Sequence, residues 1–266
     1  METNPRSIGE QIRDWRQRRR LSQMDLAGDA EMSTRHLSFI ETGRSRPSRD
    51  MVLKLAAELA VPLREQNLML VAAGHAPHYR QRRLDDAGFA PARRAVERIL
   101  EGHDPYPALA IDRHWNLVCA NAAVLRLVAG VDPSLLEPPI NVLRLALHPG
   151  GLAPRTLNLA QWRAHLLARL AHETDMTGDS RLSDLLDELR AYPSPPAART
   201  AATMEDLGGI AVPFRLRLGE ATLALISATT VFGTPVDVTL SELAVESFFP
   251  ADDDTAETLR RLAVAS

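Results

Sequence analysis

The chain has 266 residues, enough for two domains that each bury a core. Its net charge of −3 is unevenly placed: residues 1–94 carry 17 Lys/Arg against 12 Asp/Glu, and residues 95–266 carry 14 against 22. A single cysteine, Cys119, excludes a disulfide within the chain. The longest apolar stretch, residues 221–233, is broken by Ser227, Thr229 and Thr230 and is too short to span a bilayer. The polar, arginine-rich start shows no apolar signal segment, so a cytoplasmic protein with no membrane partner is expected. A basic head on an acidic body suits a polyanion-binding module joined to one that does not meet the polyanion.

Ile8, Ile12 and Trp15 fall at i, i+4 and i+7 and predict a first helix with one apolar stripe. Ser22 is placed to cap a second helix, with Asp25 at its third position completing a capping box. Ser33 is placed to cap a third helix running to Glu41. Between them Ala30, Glu31 and Met32 must turn in about three residues. Ala27, Met32, Leu37 and Ile40 set these two helices against each other at a steep angle. Thr34, Arg35, His36 and Ser38 are left pointing outward. This is a helix-turn-helix, whose second helix enters the DNA major groove. Gly43 stops that helix, and Arg44 and Arg46 make the following loop basic. Pro47 and Ser48 open a fourth helix with Met51, Leu55, Ala56 and Leu59 inward. Leu63 to Ala73 predict a fifth, with Leu63, Leu68, Leu70 and Val71 available to close the core.

Residues 8–75 resemble the DNA-binding domain of the XRE (Cro/repressor) family. The matching residues are Leu21-Ser22-Gln23, Leu26-Ala27, Ser33, Leu37, Ile40-Glu41, Gly43-Arg44 and Pro47-Ser48. Glu31 departs from the pattern, which usually has glycine there, and the resemblance implies a left-handed backbone at that position, costly for glutamate. The resemblance implies an all-α, five-helix, lambda-repressor-like domain over residues 1–76. Placement on and around the recognition helix assigns base reading to Arg35 with Thr34, His36 and Ser38. Gln23, Arg44 and Arg46 are assigned to phosphates, and Ser33 to the helix start at the same face. One such helix reads too few base pairs to select a genomic site, so a homodimer on an inverted-repeat operator is expected.

Residues 77–91 are rich in glycine, proline and charge and predict a linker, in which Arg80, Arg82 and Arg83 are either solvated or near phosphate. A helix over residues 92–101 opens a second domain, residues 92–266. Residues 108–112 and 117–120 predict a hairpin with Asp112 in its turn. Asn121 then starts a helix, an order that resembles the opening of a PAS domain. Helices are predicted over residues 141–147 and 159–172 and around Leu182 to Leu189. A connector follows over residues 191–198. Residues 210–218 alternate as a half-buried strand, residues 221–230 read as a central one, residues 236–249 supply another, and residues 252–265 a last helix. The order suits an α+β sheet with helices across one face.

Residues 106–118, 158–170 and 229–243 are similar to segments of MmyB-like transcription regulators. That resemblance implies an XRE head joined to a PAS-like ligand-binding domain, with a fatty acid as the suggested ligand class. Leu143, Leu147, Trp162, Leu166, Phe214, Leu225 and Phe232 are the candidate walls of an apolar pocket. Arg144, His148 and Arg163 are the basic residues nearest in sequence that could meet a carboxylate. No enzyme, metal or cofactor is expected. A Ser-Lys dyad has only Lys54, inside the head, to draw on. The H-E-x-x-H string begun by His172-Glu173 ends at Met176, and no H-x-H occurs. His165 and His172 read as surface or capping residues, and Cys119 as packing. Two functions remain open: a regulator whose second domain binds an apolar ligand, and one whose second domain serves only dimerisation or protein contact.

Overall fold

The computed structural model describes residues 6–82, 86–193, 212–232 and 237–264. It divides into two compact units, Met1–Arg83 with Thr234–Ser241, and Leu84–Gly233 with Glu242–Ser266.

The first unit holds α1 (Ile8–Arg18), α2 (Gln23–Asp29), α3 (Thr34–Glu41), α4 (Arg49–Glu58) and α5 (Leu63–Ala72). The first four each begin behind a serine, Ser7, Ser22, Ser33 and Ser48, whose hydroxyl accepts the N–H three residues on. Ser7 with Glu10 and Ser22 with Asp25 complete reciprocal boxes, which satisfies backbone donors that a helix start leaves orphaned. Ile12, Leu26, Leu37, Ile40, Val52, Leu55 and Leu59 are fully buried in one core. On α5 the inward residues are Gln66, Asn67, Met69 and Leu70, while Leu68 and Val71 are exposed. The sequence expectation for Leu68 and Val71 therefore fails. Asn67 faces inward because its side chain binds the chain that follows: it accepts from the N–H groups of His78 and Tyr79 and donates to the Tyr79 carbonyl.

That contact pins the start of the expected linker to α5. A further piece joins it from far downstream. Residues 238–241 form a short helix, where a strand was expected from residue 236. Asp237 explains the difference, since its carboxylate accepts from the Thr239 N–H as a helix cap does. Val238 is buried, and its N–H donates to the Arg80 carbonyl at 2.8 Å. The Thr239 hydroxyl donates to the Arg82 carbonyl, and Arg82 pairs with Asp237 at 3.6 Å.

Two features fix the angle between α1, α2 and α3. Gly9 lies against the end of α3, where a side chain would collide with the carbonyl oxygens of Ile40 and Glu41. Glu41, 3% exposed, accepts from Arg16 at 2.7 and 3.0 Å and from Gln23 at 2.8 Å, with Arg13 at 3.5 Å. Burial alone would raise its carboxyl. The hydrogen bonds from Arg16 and Gln23 and the Arg16 charge outweigh burial, so it titrates below the usual carboxylate range. The turn between α2 and α3 is left-handed at Glu31, φ 52°, as its position demands. Its carboxylate pairs with Lys54 at 2.6 Å.

The second unit opens with α6 (Ala90–Glu101) and the hairpin β1 (Ala108–Ile111) and β2 (Leu117–Ala120). Asp112 closes the hairpin by accepting from the N–H groups of His114 and Asn116. Asn121 caps the next helix, α7 (Ala122–Leu127), and also ties the Leu100 and Tyr106 carbonyls and the Ala108 N–H. Helices α8 (Val142–Leu147), α9 (Leu159–Thr177) and α10 (Ser180–Ala191) follow. The short helix at residues 238–241 becomes α11. Strands β3 (Phe214–Leu218), β4 (Ala221–Val231) and β5 (Ala244–Pro250) complete an antiparallel sheet in the order β2-β1-β5-β4-β3, and α12 (Asp253–Val264) ends the described chain. A five-stranded antiparallel sheet with α7, α8 and α9 on the face that carries Leu109 and Glu246 is a PAS-like α+β arrangement; α6 lies against β1 and β2 on the side of Ala110 and Cys119, so the helices are not confined to one face as the sequence suggested. α9 runs past His172 to a left-handed Gly178. The expected connector beyond Pro193, the strand start at residues 210–211 and Arg83 lie outside the described residues.

Two substitutions test the head. Glu31→Gly should raise the melting temperature, because glycine takes φ > 0 without strain; a fall would show that the Lys54 pair matters more than the backbone. Glu41→Gln should cost roughly 2–3 kcal/mol near pH 7, since charged hydrogen bonds are lost and Arg16 loses its counter-ion. A depressed folded-state value means that Glu41 stabilises above the unfolded carboxylate range and loses that contribution as acid protonates it. Melts from about pH 7 to about pH 2 should show the gap between wild type and Glu41→Gln closing once the pH falls below the unfolded carboxylate range; a gap that stays constant to the acid end would contradict the assignment.

Candidate functional site

The first candidate site is the outer face of α3. Thr34, Arg35 and His36 are exposed and Ser38 is half-buried, while Leu37 and Ile40 anchor the opposite side. Ser33 accepts from the His36 N–H at 3.2 Å and so sets the helix start. Phe39 supports two cations from the same helix and its loop. The Arg35 guanidinium lies 5.3 Å from its ring centre and that of Arg44 5.9 Å. This narrows the freedom of both side chains before any ligand is met. Gly43, φ 74°, turns the chain, and the N–H groups of Arg44 and Ser45 both donate to the Phe39 carbonyl. Arg44 and Arg46 are exposed in that loop. Gln23 is only half-exposed, and one N–H of its amide is given to Glu41, which leaves the second N–H to donate elsewhere. The arrangement offers donors and acceptors in the middle of a face and cations at its edge, the order that base and phosphate contacts need.

The second candidate site is a cavity in the second unit between the sheet and α7, α8 and α9. It holds about 830 Å³, including its opening to solvent. Of the expected walls, Leu143, Trp162, Leu166 and Phe214 line it. Leu147 and Leu225 are buried in the same core without lining it, and Phe232, just past β4, does not line it. Trp115, Leu127, Leu145 and Phe248 complete the wall where those three were expected. Trp162 stacks on Phe214 at 5.0 Å, and Phe214 meets Phe248 at 6.2 Å, so one end of the cavity is aromatic.

The other end is polar. Arg169, Glu246 and Ser227 are the polar side chains on an otherwise apolar lining, apart from the Trp115 and Trp162 indoles. Arg169 donates to Glu246 at 2.6 Å and more weakly to Glu173 at 3.4 Å, and its guanidinium lies 4.5 Å from the Trp115 ring centre. Trp115 donates its indole N–H to Glu173 at 2.7 Å, and Thr229 donates to Glu246 at 2.9 Å. Burial works against the Arg169 charge, but the hydrogen bond and charge of Glu246 outweigh it and hold the guanidinium above its usual range. Burial pushes the Glu173 carboxyl up despite its bonds to Trp115 and Arg169.

None of the basic residues expected near a carboxylate lines the cavity. Arg144 pairs with Glu188 at 2.7 Å, Arg163 donates to the Leu189 and Arg190 carbonyls, and His148 accepts from the Gly150 N–H. The residue that does, Arg169, is at i+7 from Trp162 on the inward stripe of α9, a charge in an apolar register that sequence reasoning passed over. His165 also departs from expectation. It is half-buried and stacks on Trp162 at 5.3 Å, and burial, then the Arg169 charge, lowers its basicity. Cys119 is half-buried, and burial raises its thiol. Among the described residues no group of three His, Cys, Asp or Glu is placed to hold a metal ion, and no helix is long and apolar enough to cross a membrane.

Comparison with known proteins follows the same division. Residues 7–68 match a helix-turn-helix domain family, and residues 92–262 match the family described as MmyB-like transcription regulator ligand binding domain. None of the curated proteins compared with the chain matches it. A solved structure titled "Structure of an RNA-binding Light-Oxygen-Voltage Receptor" aligns with 13% identity and a TM-score of 0.25, over 97% of this chain and 64% of that one. At that score the alignment carries no argument about fold or function. The two family matches lie on the two units that carry the polar helix face and the cavity, and the chain belongs to the MmyB-like transcription regulators, DNA-binding proteins with a helix-turn-helix head and a ligand-binding domain behind it.

Proposed function

We propose that this protein is a cytoplasmic homodimer that binds an inverted-repeat operator through α3, and that a small, largely apolar molecule in the cavity changes its affinity for that operator. The observation that carries the reading is the cavity itself. An aromatic and leucine wall with few polar groups is suited to a hydrocarbon, fatty-acid-like ligand body. It lies in the domain whose family is defined by ligand binding. Regulation requires that the ligand bind the DNA-competent and DNA-incompetent states unequally. The dimer and the inverted repeat follow from the few base pairs that one recognition helix reads.

Within the head, Arg35 with Thr34, His36 and Ser38 reads base edges, and Arg44, Arg46 and Gln23 hold phosphates. Arg35→Ala should cost roughly 1–3 kcal/mol and relax preference at one operator position. Arg44→Ala should weaken cognate and scrambled DNA alike and reduce the salt slope by about one phosphate's worth. Salt titrations on both DNAs separate the roles, and equal weakening by Arg35→Ala would remove it from base reading.

For the ligand, protein stripped of bound small molecules and protein reloaded with them should differ in operator affinity by roughly 5- to 150-fold. Trp162→Ala should reduce that difference by opening the aromatic end of the cavity. Equal operator affinity of stripped and loaded protein would leave the second domain with dimerisation or protein contact alone.

A further inference from the structure

The cavity has direction. Trp162, Leu166 and Arg169 lie along one face of α9, and seven residues of helix separate the first from the last by about 10 Å. On β5, Phe248 and Glu246 repeat the same sense two residues apart. Phe248 meets the Trp162–Phe214 pair through Phe214, and Glu246 meets Arg169. The cavity therefore offers an elongated molecule an aromatic end for its hydrocarbon and a polar end, Arg169, Glu246 and Ser227, for its head.

The charge already present decides what that head can be. One guanidinium is faced by two carboxylates, Glu246 at 2.6 Å and Glu173 at 3.4 Å. Glu246 is 4% exposed, so Arg169 is its main compensation, with the Thr229 hydroxyl beside it. A carboxylate ligand would have to take Arg169 from Glu246, or sit beside it as a second buried anion. Either choice strands a negative charge in an apolar site, which is more costly than the pair it replaces is favourable. A neutral head meets neither cost. Arg169 has five N–H groups and makes two hydrogen bonds, so it can still donate. Glu246 and Ser227 can accept.

We propose that the cavity selects ligands whose head is neutral and both accepts and donates hydrogen bonds, an alcohol or a primary amide on a hydrocarbon chain, and discriminates against the matching carboxylate. This rests on the apolar-ligand reading above. Glu246 is the residue that sets the discrimination.

Decanol, decanamide and decanoate, titrated near neutral pH into the full-length protein stripped of small molecules, test it by calorimetry. Decanol and decanamide should each bind at least about tenfold tighter than decanoate. An apolar cavity with no polar end would also favour uncharged ligands, so Glu246→Gln supplies the control. It should raise decanoate affinity relative to decanol by about tenfold, because the repelling charge is gone while an acceptor remains. Decanoate binding as tightly as decanol in the wild type overturns the head-group assignment, and needs no variant to be folded. So does a decanol–decanoate gap that Glu246→Gln leaves unchanged. Failure of all three probes to bind overturns the apolar-ligand reading itself, and this inference with it.

Discussion

A carboxylate withdrawn from water at the last residue of the recognition helix governs the head. Glu41 has no route to solvent, so its charge must be met from within, and the groups that meet it come from α1 and α2. Breaking a buried charge network of this kind costs more than forming it contributes, so its worth is in specificity of geometry as much as in stability. Three helices that touch through small apolar contacts could slide over one another by fractions of a turn. Three helices that share one carboxylate, with Gly9 closing the gap beside it, cannot. The polar face of α3 owes its orientation to a residue that does not lie on that face.

The second unit solves a related problem with side chains that bind the nearby backbone. Asn121 holds the start of α7, the entry to β1 and the end of α6 with one amide, and Asp112 holds the hairpin turn. These joints are polar and local, so the residues between sheet and helices are free to be large and apolar without filling all the space. The cavity is what remains when a leucine-rich helical layer rests on a sheet whose inner face is interrupted by Glu246 and Ser227. The charged pair then has two consequences. It keeps the cavity from collapsing into dry core at that end, and it gives the space a chemical polarity.

The head was legible in the sequence almost throughout, because its signals are local. Serines precede four of the five helices, the apolar residues keep a helical period, and the left-handed turn at Glu31 follows from the glycine that the resembled family has at that position. Leu68 and Val71 were misjudged because the inward face of α5 was set by a polar residue, Asn67, whose partners lie eleven and twelve residues on. The aromatic wall of the cavity was legible in part, through Trp162, Leu166 and Phe214. Its polar end was not. Arg169 and Glu246 are 77 residues apart, and each reads alone as a solvated charge. The clue available was register, since both stand where the apolar side of their helix or strand should continue. Leu147, Leu225 and Phe232 show the converse error, in which apolar character was read without knowing which apolar residues would stay at a surface.

The short helix Val238–Ser241 sets a limit on how this architecture can be recombined. It is counted by sequence within the ligand-binding family, yet its buried valine and its hydrogen bonds belong to the same compact unit as the helix-turn-helix, one of them reaching the Arg82 carbonyl 157 residues upstream. The two functions are thus written in overlapping text. A chimaera that trades one sensor for another at the stretch after α5 would remove Asp237, Val238 and Thr239 from the head, and with them the Asp237–Arg82 pair and the bonds to the Arg80 and Arg82 carbonyls. Evolution faces the same constraint: a graft of a new sensor has to bring a compatible version of this segment, so heads and sensors of this kind should be inherited as matched pairs rather than shuffled as independent parts.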